Sequence, residues 1–260
     1  MKVSIFTFES ERTLGVKKEI ENKFKARGIT ICDEFPNIVI TIGGDGTVLK
    51  GVHHYQDRLD EIKFIGVHTG TLGYYTDWLP TEIDDLANFL KEQEFEIANY
   101  PLIKAVIHMK DGIKEAYALN EFTVLNATRA QHLDIKINDM FLESFRGTGV
   151  CVSTPTGSTA YNKSLGGAVI YPSIPAFQLT EMASINNNAY RTIGSPLVIP
   201  SEQTLTLESE NWEGMALTQD HLSLDVSDLD NIRISLSDRK VKFIKRSKGL
   251  FWERVKNHFI

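Results

Sequence analysis

Two domains of different class are what this sequence predicts: an α/β domain built on a parallel sheet over residues 1–98, and an all-β domain over residues 99–245, with the tail 246–260 packing back on the first. Three observations carry that expectation. As far as about Leu90, short apolar runs alternate with stretches of helical periodicity, the pattern of βαβ units. From about Phe95, strand-like runs follow one another, separated by turn pairs. At the end, Phe251, Trp252, Val255 and Phe259 recur at helical spacing, and only the α/β half offers a helical layer to receive such a helix.

The elements follow in order. Residues 3–8 read as a strand, and residues 12–27 as a helix with Leu14, Ile20 and Phe24 near one face and Gly28 as its stop. Ile38-Val39-Ile40-Thr41-Ile42 is a β-branched run suited to a central strand buried on both faces. Residues Lys63–Val67 repeat that character, and Pro80 opens a further helix through Asp84, Asp85 and Leu86. In the β half, Asp111-Gly112 and Asn138-Asp139 favour tight hairpins. Residues 155–167, dense in small and hydroxyl side chains, have room for a short helix.

Composition narrows the function classes. The 260 residues carry 34 acidic against 28 basic side chains, a formal charge of -6, which argues against a surface made to displace counterions from nucleic acid. Cys32 and Cys151 stand far apart with no Cys-x-x-Cys spacing, so neither a disulfide framework nor a structural zinc site is expected, and free thiols fit a reducing cytosol. The first apolar run ends too soon for a signal-peptide core or a membrane span. A cytoplasmic protein without membrane or nucleic-acid partners is the expectation.

The main chemical signal is Gly43-Gly44-Asp45-Gly46-Thr47, placed directly after the strand Ile38–Ile42 and before a helical stretch at 48–55. Glycines at a strand's carboxyl end let the backbone turn sharply and bring N–H groups close to phosphate oxygens, with a helix N-terminus behind them. An Asp in such a cradle repels phosphates unless it binds a cation or accepts a proton. The plainer alternative is a glycine turn with Asp45 as helix N-cap. A second loop, Gly66-Val67-His68-Thr69-Gly70-Thr71-Leu72-Gly73-Tyr74-Tyr75, follows the next strand, and in an open parallel sheet both loops reach the same edge. Neither has P-loop spacing or the dinucleotide fingerprint of a hydride-transfer enzyme.

Gly-Gly-Asp-Gly-Thr after a strand resembles the superfamily of NAD kinases, diacylglycerol and sphingosine kinases, and phosphofructokinases, without choosing among them. Asn120-Glu121 resembles the pair with which NAD kinases hold the dinucleotide. The segment Ser153-Thr154-Pro155-Thr156-Gly157-Ser158-Thr159-Ala160-Tyr161-Asn162 is similar to the NAD kinase signature almost letter for letter, and the run from Leu179 to Asn187 with Tyr190-Arg191-Thr192-Ile193-Gly194-Ser195-Pro196-Leu197 looks like the Gram-positive form. Physically, small residues let a nucleotide approach the backbone, while Tyr161 offers a flat face and a polar tip; the plainer alternative packs Tyr161 in the core.

The resemblance implies a Rossmann-like, phosphofructokinase-like N-terminal domain and a C-terminal β-sandwich. It implies transfer of a phosphoryl group from ATP, or from polyphosphate, to the 2′-hydroxyl of the adenosine ribose of NAD, with Asp45 as general base. Gly43, Gly44, Gly46 and Thr47 then shape the phosphate loop. Tyr75, Asn120, Glu121, Ser158, Thr159, Ala160, Tyr161, Asn162, Lys163 and Ser164 bind the dinucleotide, with Arg146 and Ala183 contributing from neighbouring surfaces. A divalent ion, Mg²⁺, rides on the nucleotide phosphates without a protein cluster of its own, and the chain forms a homotetramer or homodimer. Two positions depart from the commonest pattern: Thr148 stands where an Asp is usual near the nicotinamide, and Gln219-Asp220-His221 where many members carry Asp-Gly-Gln, which gives His221 a ligand-facing role. Alternatives are a lipid or sugar kinase of the same superfamily and a catalytically silent dinucleotide sensor.

Overall fold

A computed structural model describes the whole chain except residues 9, 71–72, 93, 189–190, 225–227 and 248. The chain divides into two compact units, unit 1 comprising Met1–Tyr100 with Arg239–Ile260, and unit 2 comprising Pro101–Asp238.

Unit 1 begins with β1 (Lys2–Thr7), α1 (Glu11–Ala26), the short β2 (Thr30–Ile31) and β3 (Ile38–Ile42), with β2 and β3 both pairing parallel to β1 in one sheet. Ser10 caps α1 by accepting the Thr13 N–H, and Thr13 returns the bond to the Ser10 N–H. The helix stops as the sequence expects. Gly28 has φ 72°, its N–H donates to Lys25 O at 3.1 Å, and the Ile29 N–H reaches back to Phe24 O at 3.0 Å, which together satisfy the last carbonyls. One expectation needs correcting: Leu14 is 45% exposed. The buried stripe is Val16, Ile20 and Phe24 with Thr13, because at 3.6 residues per turn position 13 falls within about 20° of Ile20 and position 14 about 120° away.

After β3 come α2 (Asp45–His54), β4 (Lys63–Val67), β5 (Thr76–Trp78) and α3 (Ile83–Glu92), the last led in by a single 3₁₀ turn at Pro80–Glu82. The strand order is β2-β1-β3-β4, with β5 parallel to the end of β4. All five residues of β3 are buried, and the reason is that helices cover both faces. Ile38, Ile40 and Ile42 share a core with Ile20 and Phe24 of α1 and Leu86 and Leu90 of α3. On the opposite face α2 comes so close that a Cβ on Gly51 would lie 2.9 Å from the Thr41 methyl.

Unit 2 is formed by strands. β6 (Glu96–Met109) enters it, followed by β7 (Gly112–Ala118), β8 (Glu121–Leu125), β9 (Gln131–Ile137), β10 (Met140–Gly147) and β11 (Gly149–Ser153). A 3₁₀ turn (Gly157–Thr159) and the four-residue α4 (Tyr161–Ser164) occupy the stretch expected to hold a short helix. Then come β12 (Ala176–Met182), β13 (Leu197–Pro200), β14 (Thr204–Glu208), β15 (Ala216–Gln219), β16 (Leu222–Leu224) and β17 (Leu229–Lys245). One antiparallel sheet runs β13-β12-β11-β8-β15-β16; another pairs β10-β9-β14-β17. Phe122, Val152 and Phe177 from the first meet Ile135, Leu207 and Ile234 from the second in one core, as two packed sheets require.

The hairpin turns divide the two sequence signals. Asn138 and Asp139, with φ 48° and 65°, form the two-residue loop whose twist matches antiparallel strands. At the other site the loop is Lys110-Asp111, since Met109 pairs with Gly112; Gly112 opens β7 rather than ending the turn.

β17 is long enough to serve both units: residues up to Ser235 pair with β14, and Lys242 and Phe243 run parallel to Lys63 and Phe64 of β4. Gly249, at φ 82°, then turns the chain into α5 (Leu250–Phe259), which lies on unit 1. Among the described residues no helix is long and apolar enough to cross a membrane.

Candidate active site

The two glycine loops leave the parallel sheet of unit 1 side by side, because β3 and β4 are adjacent and in register up to Ile42 opposite Val67. They stand at the carboxyl edge, beside the point where the strand order reverses, the usual place for a ligand in an open α/β sheet. Thr71 and Leu72 of the second loop lie outside the described residues. Gly43 has φ 153°, and a Cβ on it would stand 2.2 Å from Thr47 Oγ1, so only glycine fits where the chain turns into α2. Gly44 is the N-cap and Asp45 the first helical residue. The opening N–H groups of a helix have no acceptor within it and sit at its positive end, which suits phosphate oxygens.

Asp45 is therefore no N-cap, and its side chain makes no capping bond. It reaches instead across to the second loop. Oδ2 accepts the Tyr74 N–H at 2.7 Å and Oδ1 accepts the Tyr75 N–H at 3.0 Å. Gly73 allows the approach, since a Cβ there would lie 2.1 Å from Oδ1. Two backbone donors thus supply a further physical reason for a carboxylate in a phosphate cradle. Each oxygen keeps a lone pair, so a partly exposed, oriented carboxylate remains able to accept a proton. The Tyr75 ring, by contrast, is 3% exposed and stacks on Phe243 with centroids 5.3 Å apart; its N–H, not its ring, faces the site.

Unit 2 gathers a second set of candidates. Asn120 and Glu121, both buried, stand at the start of β8. The Asp220 carboxylate, at a turn with φ 50°, accepts the N–H groups of Leu119 at 3.0 Å, Asn120 at 2.7 Å and Glu121 at 3.2 Å. Burial first, and then the charge of Asp220, pushes the Glu121 carboxyl up to about 8. Its Oε2 has no hydrogen-bond partner, so at neutral pH Glu121 is a neutral acid that can donate as well as accept. Burial, with Glu121 nearby, also raises the Cys151 thiol.

The hydroxyl-rich segment wraps this pair. Thr154 N–H donates to Asn120 O at 2.8 Å, and Thr154 Oγ1 donates to Leu119 O at 2.6 Å. A Cβ on Gly157 would be 2.1 Å from Asn120 O. Ser158 is fully buried and bridges Pro155 O and the Ile170 N–H. Asn162, also fully buried, accepts the Thr180 hydroxyl at 2.7 Å, and Thr159 donates to Thr156 O at 3.1 Å. These three side chains hold the framework. Tyr161 is 44% exposed, so the alternative of a core-packed ring is not what the fold adopts; Lys163 is half-buried, and Ala160 and Ser164 line the same turn.

Comparison with known proteins decides the family. Residues 4–95 match the ATP-NAD kinase N-terminal domain and residues 119–246 the ATP-NAD kinase C-terminal domain. Over 227 residues the chain is 51% identical to NAD kinase 1 of Listeria innocua, covering 86% of each chain. The chain belongs to the ATP-NAD kinase family. Over 261 residues it is 44% identical to the NAD kinase of Lactobacillus gasseri, covering 100% of this chain and 98% of that one. The fold is shared with yeast NADH kinase complexed with NADH, at a TM-score of 0.84 and 19% identity over 100% of this chain and 87% of that one. It is shared too with an Archaeoglobus fulgidus NAD kinase in complex with ATP, at a TM-score of 0.75 and 22% identity over 100% and 97%. Family membership rests on both domains, and so decides against a lipid or sugar kinase sharing only the first glycine loop.

Within this family frame, the remaining candidates occupy unit 2. Arg146 lies on β10, and its carbonyl accepts the Ile185 N–H at 2.7 Å. Thr148 is exposed between β10 and β11, with its N–H on Met182 O at 3.0 Å. Ala183 is exposed and has φ 47°, a backbone position that L residues rarely take. His221 shares the β15–β16 turn with Asp220 and is exposed; Tyr190 lies outside the described residues. The residues missed by sequence reasoning are Asp220 as the anchor of Asn120-Glu121, and Gly73 and Gly157 as points of close approach. Only the turn-like Asp220-His221 between alternating strands signalled the first. Among the described residues no group of three His, Cys, Asp or Glu side chains is placed to hold a metal.

Proposed function

We propose that this kinase makes NADP by moving the γ-phosphoryl of ATP, or a phosphoryl of inorganic polyphosphate, onto the 2′-hydroxyl of the adenosine ribose of NAD, with Asp45 as the general base. The carrying observation is the Asp45 carboxylate, held by the Tyr74 and Tyr75 N–H groups at the end of a glycine-built anion cradle.

In the step, the ribose oxygen forms a bond to phosphorus as the bond to the leaving phosphate breaks, and the hydroxyl proton passes to Asp45. Phosphoryl transfer needs positioning and charge stabilisation more than covalent help. The N–H groups at the start of α2 and the loop formed by Gly43, Gly44, Gly46 and Thr47 supply the first of these to the phosphates. Asn120 and the neutral Glu121 bind ribose and amide groups of the dinucleotide, and the exposed Tyr161 ring supports it by stacking. Ser158, Thr159 and Asn162 act by holding that segment, with Ala160, Lys163 and Ser164 contacting the ligand from the same turn. Arg146, Thr148, Ala183 and His221 serve the nicotinamide side. A Mg²⁺ ion on the triphosphate would offset charge between the phosphates. A cytoplasmic homotetramer or homodimer completes the reading.

The test is direct. Purified protein is incubated with NAD and Mg-ATP or polyphosphate, and NADP is measured beside NAD affinity, for the parent and for Asp45→Asn. Expected are NADP from the parent and a loss of about 100- to 10,000-fold in the variant, with NAD still bound. A parent that binds NAD without turnover is a dinucleotide sensor; a variant as fast as the parent removes Asp45 from the chemistry.

A further inference from the structure

We infer that Arg254, on the C-terminal helix, is a positioning residue for the Asp45 carboxylate, acting through the backbone of residues 74–77. This inference rests on the role proposed for Asp45. Arg254 is the one residue of α5 that is buried, 4% exposed, although the apolar spacing of the tail pointed to Phe251, Trp252, Val255 and Phe259. Trp252 is 58% and Phe259 41% exposed. The helix docks by its guanidinium: one nitrogen donates to Tyr74 O, and the other to Thr76 O at 3.0 Å and to Asp77 Oδ1.

The segment so gripped is the one that holds Asp45. Tyr74 turns its carbonyl to Arg254 and its N–H to Asp45 Oδ2, and the next N–H, of Tyr75, takes Oδ1. The peptide units between Gly73 and Thr76 are thus fixed on one side by α5 and fix the carboxylate on the other. Two further observations show that the grip is built in. Asp77, buried, also accepts the ammonium of Lys245 at 3.2 Å and the Arg246 N–H at 3.4 Å, so the clamp carries two buried cations on one carboxylate. The Tyr74 ring lies against Phe251, His258 and Phe259 of α5, at centroid distances of 6.3, 5.0 and 6.2 Å. Burial and the charge of Asp45 push its phenol up to about 12, against the opposing charge of Arg254.

A planar fork that bridges two carbonyls and a carboxylate cannot be replaced by a point charge. Arg254→Gln and Arg254→Lys are therefore compared with the parent and with Lys256→Ala, which removes an exposed cation from the same helix. Two readouts are taken on the full chain: amide hydrogen exchange at Tyr74 and Tyr75 against β3, and kcat and KM for NADP formation. Arg254→Gln should speed exchange at the two amides by about tenfold or more while β3 stays protected. It should lower kcat about 10- to 100-fold with KM for NAD within about threefold. Arg254→Lys, which keeps the pair with Asp77 and secures the fold, should fall between, and Lys256→Ala should match the parent. Unchanged exchange in both Arg254 variants overturns the inference whatever the activity, and so does loosened exchange with parental kcat. If the amides loosen but the parent makes no NADP, the coupling of α5 to Asp45 stands and the kinase reading falls.

Discussion

Replacing Glu121 by Gln isolates the proton that this fold is built to retain. In the folded protein the carboxyl is 8% exposed, has one oxygen without a hydrogen-bond partner and faces the charge of Asp220; burial and that charge raise it from an ordinary value of 4.5 to about 8. Between those two values the folded chain holds a proton that the unfolded chain has released. The folded state binds more protons there, so stability falls as pH rises from 4.5 to 8 and levels off above it. At 1.36 kcal/mol per pH unit, keeping the proton from about 4.5 up to about 8 is worth roughly 5 kcal/mol. Gln keeps the neutral shape and carries no such dependence. Urea unfolding of both proteins at pH 5, 6.5 and 8.5 should show the variant gaining on the parent by about 1.4 kcal/mol per pH unit, with the gain ending above pH 8. Parallel curves for the two proteins would refute the reasoning, since they mean that Glu121 titrates in its ordinary range despite its burial.

Other perturbations test neighbouring parts of the site. Asp220→Asn removes the charge that adds to the rise at Glu121, so the pH midpoint of that stability difference should move down; it also weakens the anchor of three N–H groups, at a cost of about 2 kcal/mol in urea unfolding. Gly157→Ala puts a Cβ 2.1 Å from Asn120 O, and should cost about 1–3 kcal/mol of stability and weaken NAD binding as Asn120 is displaced, read by calorimetry. Tyr161→Ala should leave the unfolding curve near that of the parent, because the ring is 44% exposed, and should raise the dissociation constant for NAD about tenfold; unchanged affinity removes the stacking role.

Much of the fold was legible because local rules and tertiary packing agree. The β-branched run of β3 could be buried on both faces only in a sheet covered by helices on each side, and Gly28 could end α1 because its φ of 72° suits no other residue as well. Asn138-Asp139 determined its own turn for the same reason. Leu14 failed because at 3.6 residues per turn it stands about 120° from Ile20, outside the stripe of Thr13, Val16, Ile20 and Phe24. The hairpin at Lys110-Asp111 slipped by one residue because register belongs to the paired strands, not to the turn residues alone.

For the site, the sequence by itself determined which groups are present: an Asp between glycines after a buried strand, and a hydroxyl-rich segment similar to that of one kinase family. What each residue's polar atoms do was decided only by tertiary structure, since a hydrogen bond spans a few ångströms of space and any distance in sequence. Asp45 lies 29 residues from Tyr74, Asp220 lies 100 from Asn120, and Arg254 lies 180 from Tyr74. No periodicity or spacing rule reaches across such separations. The carboxylate for which a helix cap was the plainer alternative is held by another loop's backbone, the tail that looked apolar docks through a buried arginine, and both follow from backbone donors and acceptors that must be satisfied once the chain is folded.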